Sequence, residues 1–135
     1  MLTLFAIPKA FTGHISIIQR NAIQSWTLLR PQCEIVLFGD DAGTKDVAKD
    51  FEVKHVPHVA RNELGTPLLN DMFETAQRIA NHELLCFVNS DIILMSDFVR
   101  AVDRVRRWRG NFLMIGRRSD VRITEPLDFA QPDWE

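Results

Sequence analysis

The chain has 135 residues, of which 46% are hydrophobic and 25% are charged. This composition predicts a single folded domain over residues 1–135 and excludes a chain that is disordered throughout. The net charge of −2 supplies no overall basic field for a polyanion, so nucleic acid is not an expected partner.

The N-terminal part predicts a strand followed by a helix. The apolar run 2–7 suits a strand buried on both faces, and Pro8 ends it. Apolar residues then recur at helical spacing from Thr12, an N-cap residue, to Leu29, where Pro31 stops the pattern. These residues form one β-α unit.

The middle of the chain repeats this pattern. A second strand is predicted at 34–39, followed by a short helix and an extended piece at 53–56. A polar loop leads to Thr66 and Pro67, which are predicted to cap and open the next helix.

The C-terminal part adds two more strands. The run 84–88 predicts a central strand, Ser96 caps a helix that ends at Gly110, and 112–116 predicts a fifth strand. Strands that alternate with helices at this spacing predict a three-layer α/β/α sandwich with a mainly parallel sheet.

No run approaches the ~18 apolar residues that a membrane span needs. Cys33 and Cys86 have neither CxxC spacing nor a disulfide-framework pattern. We therefore expect a cytoplasmic protein with free thiols.

Polar residues follow each of the first four predicted strands. They are Pro8 and Lys9, Asp40 and Asp41, Arg61 and Asn62, and Asn89, Ser90 and Asp91. Ligands of parallel sheets bind beyond the carboxyl ends of the strands. We expect Asp40, Arg61 and Asp91 to surround one cleft at this edge.

The segment Asn89-Ser90-Asp91 is the most informative of these exits. A carboxylate at the end of a buried strand is unfavourable unless it binds a cation or hydrogen-bond donors. Asp91 is therefore either a ligand of a metal–diphosphate group or a cap of the following turn.

Two other clusters are weaker candidates for a site. His55 and His58 lack a third zinc ligand, and the arginines between Arg100 and Arg118 suit a solvated helix face, an anionic ligand or a membrane surface.

Several segments in order along the chain carry a resemblance to a known family. They are AIPK, SW, FGDD, RNELGTPLLND, VNSDIIL and GRR. VNSD resembles the DxD-type motif of GT-A glycosyltransferases, and FGDD resembles their acidic pair at the nucleotide base. Asn89 departs from the pattern, because many such enzymes have a first Asp there. Asp91 matches the final Asp, which is the usual direct metal ligand.

The resemblance implies a Rossmann-like GT-A fold and a nucleotide-sugar donor, with uridine diphosphate as the expected carrier. Asp91 would hold Mn²⁺ or Mg²⁺. Ala6 and Pro8 would frame the base, Asp40 would accept from a pyrimidine N–H, and Arg61 would approach the ribose or diphosphate. The remaining donor contacts implied are Asp41, Asn70, Asn89 and Ser90.

The implied activity is metal-dependent glycosyl transfer to a glycan, lipid or small-molecule acceptor. By this resemblance we expect residues 1–135 to lack most of the usual C-terminal acceptor-binding portion, and nothing separates the candidate bases Asp97, Asp120, Glu125 and Asp128 from surface acids. Two alternatives stay open. One is sugar nucleotidyl transfer, against which the absence of a Gly-rich basic loop argues. The other is a non-catalytic nucleotide-binding or assembly module, with a homodimer as one form.

Overall fold

The computed structural model describes residues 2–108, 110–131 and 133–135. Within these residues the strands are β1 (Leu2–Ala6), β2 (Glu34–Phe38), β3 (Lys54–Val56) and β4 (Leu84–Phe87). The helices are α1 (Gly13–Leu28), α2 (Thr44–Asp50), α3 (Leu69–Ile79) and α4 (Ser96–Trp108). The strands form one sheet in the order β3-β2-β1-β4, and every neighbouring pair is parallel. The α/β class and the parallel sheet are confirmed, and the layout is compatible with a Rossmann-like arrangement.

Successive side chains of a strand point to opposite sides of the sheet, and here helices cover both of these faces. On one face, Leu4 of β1 lies in a buried cluster with residues of α1, α2 and α4, including the fully buried Trp26. On the other face, Phe5 packs with Phe38 and with Met72 and Ala76 of α3. The sheet is therefore the middle of three layers.

The predicted fifth strand at 112–116 is wrong. These residues are irregular, and Leu113 and Ile115 are 87% and 85% exposed. A short apolar run satisfies the pattern of a strand, but a strand forms only where a neighbouring strand takes up its backbone hydrogen bonds. Among the described residues, β4 pairs with β1 alone, so it lies at the edge of the sheet and the prediction of a central strand at 84–88 is wrong.

The predicted start of α3 at Thr66 and Pro67 is also wrong, since the helix begins at Leu69. Pro67 instead forms an isolated antiparallel bridge with Arg61. The Asn62 side chain accepts a hydrogen bond from the Thr66 N–H at 2.9 Å. Such side-chain bonds to nearby backbone compete with helix initiation, and here they close the loop on itself.

The C-terminal residues pack back onto α1. The buried Asn21 side chain donates to the Glu125 carbonyl at 3.0 Å and accepts from the Leu127 N–H at 2.9 Å. These two bonds hold residues 125–127 against the helix. Within the described part of the chain, no helix has the length and apolar character needed to cross a membrane.

Candidate functional site

The carboxyl ends of the four parallel strands meet at one edge of the sheet. Along that edge lie residues 57–61 after β3, 39–41 after β2, 7–9 after β1 and 89–91 after β4. The chain steps from β1 to β2 to β3 in one direction and then places β4 on the other side of β1. The order therefore reverses between β1 and β4, and ligands of open α/β sheets bind at such a switch point.

The exit of β4 is a tight turn that separates buried from exposed polar groups. The Val88 N–H continues the ladder to the Phe5 carbonyl at 3.1 Å, and the Ile92 N–H closes the turn on the Asn89 carbonyl at 3.0 Å. Ser90 is buried, whereas Asn89 and Asp91 are exposed. The turn thus presents one amide and one carboxylate to solvent at the switch point.

Gln19 of α1 joins the exits of β1 and β4. Its side-chain carbonyl accepts from the Lys9 N–H and from the Ser90 hydroxyl, both at 2.8 Å, and its amide donates to the Lys9 carbonyl at 2.9 Å. Because both donors bond one oxygen, the Lys9 nitrogen and the Ser90 oxygen are no farther apart than twice that 2.8 Å distance. Lys9 and the Asn89–Asp91 turn are therefore held side by side.

The sequence interpretation overlooked Gln19, although a signal for it exists. Gln19 lies between Ile15 and Ala22 on the face of α1 that carries the apolar periodicity, so a polar side chain is directed into the core. Buried polar side chains require hydrogen-bond partners. A glutamine on this face indicates an irregular backbone segment beside the helix.

Two further side chains of α1 hold the chain beyond the turn. The Trp26 indole N–H donates to the Ile92 carbonyl at 2.8 Å, and the Ser25 hydroxyl accepts from the Leu94 N–H at 3.0 Å. With the bond from Ser90 to Gln19, α1 binds the segment 90–94 at three points. The position of Asp91 is therefore set by a helix rather than by a free loop.

The exit of β2 carries two carboxylates, and an arginine from the β3 exit lies beside them. One Arg61 guanidinium nitrogen lies 3.4 Å from an Asp41 oxygen and 4.0 Å from an Asp40 oxygen. Gly39 precedes the pair with φ at 91°, where a side chain is strained and would press on Ile7 at 3.3 Å. The predicted grouping of Asp40, Asp41 and Arg61 at one edge is present.

A cleft of about 650 Å³ opens beside this pair. Asp40 and Arg61 line it, together with residues 56–60 and Asp71, Thr75 and Arg78 of α3. Asp91 does not line it, because β1 separates the exit of β2 from that of β4. The expectation of one shared cleft is confirmed for Asp40 and Arg61 and is wrong for Asp91.

The other predicted site residues differ in what they expose. Ala6 is fully buried, so none of its atoms is exposed to a ligand, and Pro8 is buried as well. The Ser90 hydroxyl is committed to Gln19. Asn70 is exposed in the first turn of α3.

The donor set for a metal is one carboxylate and one amide. Among the described residues, no three His, Cys, Asp or Glu side chains form a group that could hold an ion by themselves. A hard divalent cation accepts one protein carboxylate when phosphate oxygens and water complete its shell. The exposed oxygens of Asn89 and Asp91 fit that mode of binding. His55, considered above as a zinc ligand, instead forms a hydrogen bond with the Gly39 carbonyl at 2.8 Å.

The two cysteines are free, and burial lowers the fraction of each thiol that is ionised. Burial raises the pKa of both thiols, and that of Cys86 to about 11. At pH 8, a pKa near 11 leaves ~0.1% thiolate, against roughly a quarter at the usual value of ~8.5. We expect an aromatic disulfide reagent to react on the order of 100-fold faster with Cys86 in denaturant than in the folded protein. Equal rates in the two states would contradict this assignment.

These features define an α/β protein with a parallel sheet and a polar carboxyl edge. Comparisons with protein-family models, with curated proteins and with solved structures found no match to this chain.

Proposed function

We propose that the chain binds a nucleotide sugar, with uridine diphosphate as carrier, and acts as a metal-dependent glycosyltransferase of the GT-A kind. The supporting observation is the turn Asn89–Asp91, which α1 holds at the switch point of a parallel sheet. Asp91 lies there with its carboxylate exposed, the placement that a metal–diphosphate group requires.

The diphosphate is assigned to the exits of β1 and β4. The Lys9 backbone is tied to Ser90 through Gln19, and the exposed Lys9 side chain starts from that point beside the turn. Asp91 and Asn89 would hold the divalent cation. That cation, when bound, supplies positive charge against the diphosphate leaving group. A cationic side chain and a metal-binding carboxylate on neighbouring exits provide charges for both phosphate and metal.

The nucleoside is assigned to the exits of β2 and β3. Strands of a sheet are about 4.8 Å apart, so the exits of β2 and β4 are separated by about 10 Å across β1. A nucleoside diphosphate extends over such a span when its base lies near Asp40 and its phosphates lie near Asp91. In this placement a carboxylate of the β2 exit accepts from a uracil N–H, and the Arg61 guanidinium approaches the ribose.

The substitution Asp91→Asn tests the metal assignment. The amide is nearly the same size as the carboxylate but lacks the charge that binds a divalent cation. We expect Mn²⁺ to strengthen uridine diphosphate binding to the unaltered chain by about tenfold or more, which corresponds to ~1.4 kcal/mol. In the variant this enhancement should be lost. Calorimetric titration with Mn²⁺ and with chelator measures both quantities.

The matched control is Asp46→Asn, which removes an exposed carboxylate from the first turn of α2. It should keep the full effect of Mn²⁺. Metal-enhanced binding that persists in Asp91→Asn would show that Asp91 is not the ligand. Equal binding of adenosine and uridine diphosphates would instead remove Asp40 from its role at the base.

Transfer is tested separately from binding. Hydrolysis of a uridine diphosphate sugar that depends on both Mn²⁺ and Asp91 would support catalysis, since water then replaces the acceptor. Metal-dependent binding without any hydrolysis would favour the alternative of a non-catalytic nucleotide-binding module.

A further inference from the structure

The outward surface of α4 and the segment that follows it concentrate positive charge. Residues 96–122 contain eight arginines and three aspartates, a net charge of +5, whereas the whole chain carries −2. The rest of the chain therefore carries −7. Such an asymmetry within one chain indicates a surface that binds something anionic.

Much of this charge is available to a ligand. Arg100, Arg104 and Arg107 lie three to four residues apart on one face of α4 and line a shallow groove with Trp108. Arg107 pairs with Asp103 at 2.6 Å. Arg100 and Arg104 have no carboxylate within 4.0 Å among the residues that the structure describes.

The end of α4 and the segment that follows it also expose large apolar side chains. Trp108 is 84% exposed, Leu113 is 87%, Ile115 is 85% and Val121 is 75%. Arg117 and Arg118 follow Ile115 in the chain, and Arg122 follows Val121. Exposed aliphatic and indole groups interspersed with arginines are typical of a surface that lies on a bilayer, where apolar groups enter the acyl boundary and cations meet headgroups.

We propose that the surface formed by the outward face of α4 and residues 110–122, here called the basic surface, binds anionic lipid membranes. Nucleic acid would use the arginines but would leave Leu113, Ile115 and Val121 without a role. A second copy would bring two surfaces of the same charge together, which is unfavourable. An anionic bilayer satisfies both the charge and the apolar groups.

The α4 part of the basic surface extends away from the proposed nucleotide site. Ser96 begins α4 near the exit of β4, and Trp108 ends this helix of 13 residues about 18 Å along its axis. Arg104, Arg107 and Trp108 lie in the second half of the helix, away from that exit. The lipid proposal does not depend on the proposed function, and either can fail alone.

Flotation of the whole chain with vesicles tests the proposal. We expect binding to phosphatidylcholine vesicles that contain about 30% phosphatidylglycerol, and at least tenfold weaker binding to phosphatidylcholine alone, since each cation near an anionic surface contributes ~1 kcal/mol. Binding should weaken when salt rises from about 0.1 M to about 1 M, because the screening length falls from ~10 Å to ~3 Å.

Two double variants separate the charged and the apolar contributions. Arg100→Glu with Arg104→Glu should reduce binding by about tenfold or more, and Leu113→Ser with Ile115→Ser should reduce it without changing the net charge. Lys45→Glu with Lys49→Glu on the exposed face of α2 makes the same change of charge elsewhere. It should leave binding within about twofold.

Four outcomes would overturn the proposal. They are no binding to anionic vesicles, equal binding to neutral ones, an equal loss in the Lys45 and Lys49 variant, and tighter binding to RNA or DNA that ignores Leu113 and Ile115. The variants should retain the circular dichroism spectrum of the unaltered protein, because all six substituted side chains are exposed.

Discussion

Replacing Trp26 by alanine is expected to lower the free energy of unfolding by about 3 to 5 kcal/mol. Trp26 is the largest fully buried side chain, and it lies in the core between α1 and the sheet. Its removal leaves a cavity and also deprives the Ile92 carbonyl of its 2.8 Å bond from the indole N–H. A loss of this size is a large fraction of the ~5 to 15 kcal/mol that stabilises a typical domain.

The matched control is Trp108→Ala, which removes the same side chain from a position that is 84% exposed. It should change stability by no more than ~0.5 kcal/mol. Urea unfolding monitored by circular dichroism gives both values without relying on tryptophan fluorescence. Similar losses in the two variants would mean that Trp26 is not in the core.

Replacing Glu34 by alanine is expected to destabilise the fold by about 2 to 3 kcal/mol at pH 7. The carboxylate accepts from the Thr3 hydroxyl at 2.6 Å and from the Asn81 backbone N–H at 2.8 Å, and it pairs with Lys54. Thr3 is fully buried and would lose its acceptor. Glu74→Ala, an exposed change on α3, should have little effect.

The effect of Glu34 should depend on pH. Burial raises the pKa of this carboxyl group, but the hydrogen bonds from Lys54, Thr3 and Asn81 outweigh burial and hold the pKa below its ordinary value. A depressed folded-state pKa means that the ionised group stabilises the fold above the unfolded value of ~4.3, and that this stability is lost as pH falls through the folded pKa. The difference between wild type and Glu34→Ala should therefore shrink in acid. Unfolding curves between about pH 3 and pH 7 measure it, and a difference that grows in acid would contradict it.

The sheet was largely predictable because its strands carry strong local signals. The runs that became β1 and β2 are apolar on both faces, as expected of strands that helices cover on both sides, whereas the equally apolar β4 is a half-buried edge strand. The run 112–116 has the same composition without the same structure. Apolar composition states which residues avoid water, but it does not state whether a neighbouring strand is within reach.

The strand exits that form the candidate site could be predicted from the sequence, but the contacts that hold these exits in place could not. Asp40, Asp41 and Arg61 could be grouped because each follows a strand, and parallel strands end at one edge. Gln19 lies 71 residues from Ser90 in the chain and bonds it. No local pattern encodes such a distant pair.

The sequence alone determined the α/β class, the extents of the main helices within a few residues and the polar character of the strand exits. These properties follow from periodicity, capping and turn residues, which act over neighbouring positions. The tertiary structure decided the order β3-β2-β1-β4, the separation of Asp91 from the cleft beside Arg61, and the irregular conformation of 112–116. Each of these depends on which distant segments pair their backbone hydrogen-bonding groups and bury one another's apolar surface.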